Sequence, residues 1–174
     1  MDWRVGRAVK ATVLKTVGGN PSQVRILYSP HRMIYFERPE GFKPKFDAVS
    51  CYLVNNGRIL LLQRLPEKPQ GGQWGTPAGK IDDNETPEEA VVREVFEETG
   101  IQLKEGRAQK INTIFVKFPE YDFNWHMFRS EVSQTDTKIK PDEHSAHLWV
   151  SPTEALQMDL VMDEDVCIKY SFKL

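Results

Sequence analysis

The residues best placed to do chemistry lie in REVFEETG, residues 93–100. Glu94, Glu97 and Glu98 are spaced i, i+3, i+4, which puts three carboxylates on one face of a helix. They fall in its last turns, where the partial negative charge of the terminal carbonyls makes each exposed acid cost about 0.3–1 kcal/mol. At this spacing like charges also repel. Arg93 alone opposes them, whereas a solvated face usually mixes signs. A hard divalent cation resolves the conflict, because Mg²⁺ takes oxygen ligands, often a few carboxylates completed by waters and substrate phosphates. Several carboxylates on one rigid face near a phosphate make a site for metal-assisted phosphoryl chemistry. By spacing alone, a solvated acidic face fits as well.

The helix that carries these acids is well signalled. Thr86-Pro87-Glu88-Glu89 reads as a capping box, with Thr86 as N-cap, proline at the first helical position and glutamate at the third. Gly100 supplies the stop. A helix is therefore expected at about 87–99. At about 100° per residue, Val91, Val92, Val95, Phe96 and Thr99 form the arc expected to pack on a sheet. Ala90, Arg93, Glu94, Glu97 and Glu98 fill the opposite arc.

Around it the chain reads mostly as strands. QVRILYS and RMIYFE suggest two short strands around Ser29-Pro30-His31, after a turn-rich GGNPS, and ERPEGFKPK (37–45) reads as a linker. FDAVSCYLV and RILLLQR flank Asn55-Asn56-Gly57, the pattern of a hairpin with a type I′ turn. The loop LPEKPQGGQ leads to WGTPAGKI. INTIFVKF and FNWHMFRSEV read as strands joined by PEYD, and the polar loop 133–144 precedes a strand at SAHLWV. SPTEALQM and DEDVCIKYSF read as short C-terminal helices, the first capped by Ser151. Helices before and after a sheet that contains hairpins give an α/β class with a mixed sheet.

A wider window adds a resemblance. GKIDDNETPEEAVVREVFEETGI, residues 79–101, runs G, five residues, E, seven residues, R-E-aliphatic-x-E-E-x-G-aliphatic. It resembles the Nudix box at every defined position: Gly79, Glu85, Arg93, Glu94, Val95, Glu97, Glu98, Gly100 and Ile101. Seven identities and two aliphatic positions arise by chance in on the order of one chain in 10⁷. The flanking LLLQR, WGTPAGK and SPTEAL also look like the family, so the resemblance spans about 46–173. It divides the chain into an N-terminal extension (1–45) and a Nudix domain (46–174). The fold it implies is an α/β/α sandwich around a mixed β-sheet. The activity it implies is Mg²⁺- or Mn²⁺-dependent hydrolysis of a pyrophosphate link in a nucleoside diphosphate derivative.

The resemblance implies that Glu94, Glu97 and Glu98 hold metal and that one of them orients or deprotonates water. The backbone at Ala78 or Gly79 completes the metal shell, and Arg93 and Glu85 orient the site. Arg64 and Lys80 meet substrate phosphate, and an acid outside the box, for which Glu143 is the candidate, joins the ligands. His144 and His147 read as ordinary loop and sheet histidines, there being no clear third ligand. Ala78 departs from the PGG that many relatives carry, which restricts φ but is not expected to abolish activity. The WGTPAGKID approach looks most like the MutT-type branch, which cleaves (deoxy)nucleoside triphosphates to a monophosphate and pyrophosphate. ADP-ribose, sugar nucleotides and dinucleoside polyphosphates are the alternatives. A non-catalytic nucleotide-sensing module is the alternative of another class, although such modules tend to lose box acids and none is lost here.

Composition bounds the rest. The chain has 174 residues, a formal net charge of −2, 40% apolar and 28% charged residues, as one ordinary soluble domain would. That charge gives no reason to expect a nucleic acid or a membrane as partner. Two distant cysteines, Cys51 and Cys167, fit buried thiols in a reducing compartment better than a disulfide or zinc framework. No signal-peptide h-region follows the basic start, and a cytoplasmic protein is expected. Residues 1–45 are expected to add strands, contribute to a homodimer or shape the substrate pocket.

Overall fold

The computed structural model describes residues 15–16, 24–29, 32–104 and 106–174, with side chains from Met33 onward in those ranges. The basic opening 1–14, the GGNPS turn and the Pro30-His31 turn lie outside the described residues. The elements are β1 (Lys15–Thr16), β2 (Val24–Ser29), β3 (Arg32–Tyr35), β4 (Pro44–Asn55), β5 (Arg58–Arg64), β6 (Trp74–Gly75), β7 (Ala78–Lys80), α1 (Pro87–Thr99), β8 (Gln109–Lys117), β9 (Asp122–Glu131), β10 (His144–Val150), α2 (Pro152–Ala155) and α3 (Glu164–Phe172). The strands form one mixed sheet in the order β1-β2-β3-β8-β9-β4-β5-β10. β4 and β9 run parallel, from Pro44 opposite Asp122 to Val54 opposite Glu131, and the other ladders are antiparallel.

The sheet is buried on both faces because its central strands are apolar at nearly every position. Along β4 and β5 the side chains alternate between two cores. Val49, Cys51, Leu53, Leu60 and Leu62 pack with Ala90, Val91 and Val95 of α1. Tyr52, Val54, Ile59 and Leu61 pack with Ala155, Val166, Cys167 and Ile168 on the other side. This is the expected α/β sandwich, with α1 on one face and α2 and α3 on the other. Both cysteines are buried and neither is in a disulfide, and burial pushes the Cys51 thiol up to about 12. Among the described residues no helix is long and apolar enough to cross a membrane.

Two local features position the site. The β4–β5 hairpin turns at Asn56 (φ 47°) and Gly57 (φ 74°), the pair of positive φ values that a type I′ turn requires. The two strands pair only at Val54–Ile59 and Asn55–Arg58 and then separate. The gap is filled by β6, which pairs with β5, and β7, which pairs with β4. The loop into β7 is thereby held at the centre of the sheet, and Cys51 N–H donates to the Pro77 carbonyl at 3.0 Å.

Helix α1 begins and ends as its caps dictate. Thr86 and Glu89 form the reciprocal capping box, and Gly100 closes the helix in the left-handed region at φ 68°. The buried stripe differs from the expected arc. It comprises Ala90, Val91, Val95, Glu98 and Thr99, whereas Phe96 is exposed. The helix is turned toward its acidic side because the Glu98 carboxylate finds a backbone donor on β7, which polarity alone did not reveal.

Candidate active site

Helix α1 lies against β7, and the tightest approach is at Gly79. A β-carbon at this position would overlap the Glu94 carboxylate, so only glycine lets the helix side chain lie flat on the strand. One residue earlier, Ala78 N–H donates to Glu98 Oε2 at 3.0 Å. The acids are therefore anchored to the strand that the sheet gap holds in place.

Arg93 ties the cluster together. Its Nε and Nη2 each donate to the Glu85 carboxylate at 2.8 Å. Its Nη1 donates to Glu94 at 2.7 Å and Nη2 also to the Lys80 carbonyl at 3.0 Å. Glu97 lies 3.6 Å from Nη1. The planar fork of arginine suits these bonds in a way that a lysine would not. The clamp holds Glu85 below the usual carboxylate range, chiefly through the Arg93 hydrogen bond. Glu94 is pushed above it, chiefly by burial, with Glu98 and Glu97 adding repulsion against the pull of Arg93. Glu97 is the most open of the three box acids, its side chain 43% exposed against 14% for Glu94 and 5% for Glu98.

The loop after β9 completes the site. Its Lys138 and Lys140 N–H groups donate to the Thr99 and Glu98 carbonyls at 2.8 and 3.3 Å, satisfying acceptors that the end of a helix leaves open. The loop then turns, with His144 N–H on the Lys140 carbonyl, and sets Glu143 and His144 beside Glu98. The ligand atoms of Glu98, Glu143 and His144 all lie within 4.8 Å of one another. Glu143 meanwhile receives the Lys140 ammonium at 2.6 Å, and that hydrogen bond is the main reason the Lys140 pKa is raised.

Most of the sequence-derived residues converge here: Glu85, Arg93, Glu94, Glu97, Glu98, Ala78, Gly79 and Glu143. Arg64 sits opposite His144 at the β5–β10 edge, with its Nε on the Pro69 carbonyl at 2.8 Å. Lys80 is divided: its carbonyl meets Arg93, while its ammonium lies 4.6 Å from the Phe46 ring centroid. Lys80 is paired with Ala48, so its side chain is on the face away from α1. His144, read from the sequence as an ordinary histidine for want of a clear third ligand, is brought beside Glu98 and Glu143, and its adjacency to Glu143 was the available signal. His126, by contrast, is an ordinary sheet histidine, 2.9 Å from both Asp47 and Thr113. The aromatics of the β8–β9 hairpin pack on one another and on β4, as in the Phe118–Tyr121 pair at 5.0 Å and the Phe46–Phe123 stack at 4.9 Å. Trp74 packs against the α3-side core.

A carboxylate cluster with one arginine and oxygen donors from three directions suits a hard divalent cation. Comparison with known proteins agrees. The profile of the NUDIX domain matches residues 44–169. The chain belongs to the Nudix family. Among its relatives, the CTP pyrophosphohydrolase of Escherichia coli (strain K12) is 31% identical over 117 residues, 66% of this chain and 82% of that protein. The 8-oxo-dGTP diphosphatase of Proteus vulgaris is 39% identical over 73 residues, 42% of this chain and 62% of that protein. A MutT NUDIX hydrolase from Burkholderia pseudomallei superposes with a TM-score of 0.63 at 27% identity, covering 74% of this chain and 98% of that one. The protein is thus a Nudix hydrolase, of the class of pyrophosphohydrolases that act on nucleotide derivatives.

Proposed function

We propose that this Nudix hydrolase cleaves a (deoxy)nucleoside triphosphate with water, giving the monophosphate and pyrophosphate, and that Mg²⁺ supports the reaction. The observation that carries the reading is the group of three carboxylates, Glu94, Glu97 and Glu98, held on one helix face against a glycine strand. Relatives whose names specify CTP and 8-oxo-dGTP support a triphosphate as the substrate class.

Glu94, Glu97 and Glu98 would hold the cation, with the β7 backbone at Ala78 and Gly79 beside them. When bound, such an ion neutralises phosphoryl oxygens and lowers the pKa of water. The remaining work falls to the chain itself. Arg93 and Glu85 keep the carboxylates from swinging apart, which matters because small misplacements cost large factors in rate. Glu97, the most accessible acid, is assigned the orientation of the attacking water. Arg64 at the β5 edge and Lys80 on the other face are assigned to the anionic phosphates, and Glu143 to the outer rim of the cation site.

The test is turnover with Mg²⁺ against a panel of canonical and oxidised nucleoside triphosphates, ADP-ribose, diadenosine polyphosphates and sugar nucleotides, with products identified by mass. One triphosphate is expected to be cut to monophosphate and pyrophosphate, and Glu97→Gln to lose about 100-fold or more in kcat. Tight nucleotide binding without turnover would overturn the reading in favour of a sensor. Preferential cleavage of a diphosphate compound would overturn the substrate class.

A further inference from the structure

We propose that Glu98, Glu143 and His144 form a mixed carboxylate–imidazole site for a first-row divalent cation such as Mn²⁺, beside the all-oxygen donors Glu94 and Glu97. The use of that cation in catalysis rests on the hydrolase reading above. The ligand set itself rests on three observations of its own.

The first is His144. It is 6% exposed, and neither ring nitrogen makes a hydrogen bond among the described residues. Leaving a buried polar ring without a hydrogen bond is costly, and its contact with the Glu98 carboxylate is an ion pair only when the ring is protonated, whereas a cation held between the two would satisfy both. The second is aim. His144 Nε2 lies 3.3 Å from Glu98 Oε1, while the other oxygen of Glu98 is occupied by Ala78 N–H. The open oxygen of one residue and the open nitrogen of the other therefore face the same space. The third is spread. The donor atoms of the three residues lie within 4.8 Å of one another. Donors about 2.1 Å from one ion are separated by about 3.0 Å when adjacent and about 4.2 Å when opposite, so a small inward movement brings all three onto a single cation.

The donor types then select the ion. Carboxylates suit Mg²⁺ and Mn²⁺ alike, whereas a nitrogen donor favours the first-row series that begins at Mn²⁺, so the mixed set favours a first-row ion over Mg²⁺. Two carboxylates and a neutral imidazole also match a charge of +2. Lys140, on Glu143 at 2.6 Å, gives way when the cation enters, since its ammonium occupies the same carboxylate.

The test loads the full chain with Mn²⁺ and reads nitrogen couplings by electron spin echo envelope modulation. A ¹⁴N coupling of directly ligated imidazole is expected, lost in His144→Gln and retained in His147→Gln. The Mn²⁺ dissociation constant of His144→Gln is expected to rise about 10-fold or more, with that for Mg²⁺ within about twofold. Should His144→Gln fail to fold, ¹⁵N-histidine labelling of the otherwise unchanged chain carries the test, because the coupling must change with the isotope. Mn²⁺ bound with water-proton couplings alone overturns the proposal, as does failure to bind Mn²⁺. Nucleotide turnover on the same samples separates the two readings. Nitrogen coupling without turnover keeps the site and removes the function, and turnover without nitrogen coupling does the reverse.

Discussion

Glu164→Gln is expected to stabilise the protein at pH 8 and to leave it unchanged near pH 4.5. Glu164 opens α3 and is buried, with hydrogen bonds to Tyr52 and to the backbone and side chain of Thr76, while its Oε1 makes none among the described residues. Burial, the dominant cause, raises this carboxyl from 4.5 to about 7. Below pH 4.5 the folded and unfolded chains both keep the proton. Between 4.5 and about 7 the unfolded chain releases it and the folded chain holds it, so stability falls as pH rises. Above about 7 the loss is complete. At about 1.4 kcal/mol per pH unit the gap amounts to about 3 kcal/mol. Glutamine keeps an acceptor for Tyr52 and Thr76 but has no proton to lose. Urea unfolding of both proteins at pH 5, 6, 7 and 8 should show a difference that grows with pH and levels off. Parallel curves, or a variant less stable at pH 8, would refute the reasoning.

Other outcomes follow from the site. Gly79→Ala places a methyl group where the Glu94 carboxylate lies, and kcat should drop roughly 100-fold while circular dichroism stays native; full activity would show that the close approach is dispensable. Arg93→Lys loses the two-pronged grip on Glu85 and should reduce kcat about 10- to 100-fold, an effect that an unchanged rate would contradict. Mg²⁺ at about 100 times its dissociation constant should add about 2.7 kcal/mol of stability, read as a rise in Tm that EDTA reverses; no shift would argue against a built metal site.

Local signals in the sequence were sufficient for the helix and its acids. Thr86-Pro87 and Gly100 bracket α1, and both caps form as their chemistry requires. The Asn55-Asn56-Gly57 turn was equally legible because φ preference is a property of single residues. What depended on distant partners was not. The burial of Glu98 needs a donor 20 residues away at Ala78, so the packing arc derived from polarity was rotated. β6 and β7 are too short for periodicity to register, and they exist because β4 and β5 separate. The placement of His144 beside Glu98 and Glu143 depends on a loop docking onto the end of a helix, which composition cannot express. Nothing in DEDVCIKYSF marks Glu164 as buried, and only the packing of α3 beside Tyr52 makes it so.

The parallel pairing of β4 with β9 also bears on how the protein is made. Their partners lie 77 residues apart, as in the Asp47–Asn124 bond. The Nudix-box acids lie between them, so α1 leaves the ribosome before the strand that completes its floor. A nascent chain ending near residue 120 has the whole acidic helix but lacks β9 beneath it, as well as Glu143 and His144. Pairing over such a separation closes a long loop and is slow compared with forming a helix. The centre therefore matures late in synthesis, with the acids exposed to water until then. Synthesis of β9 and of the loop that carries Glu143 and His144 is what turns a water-exposed acidic helix into an enclosed site.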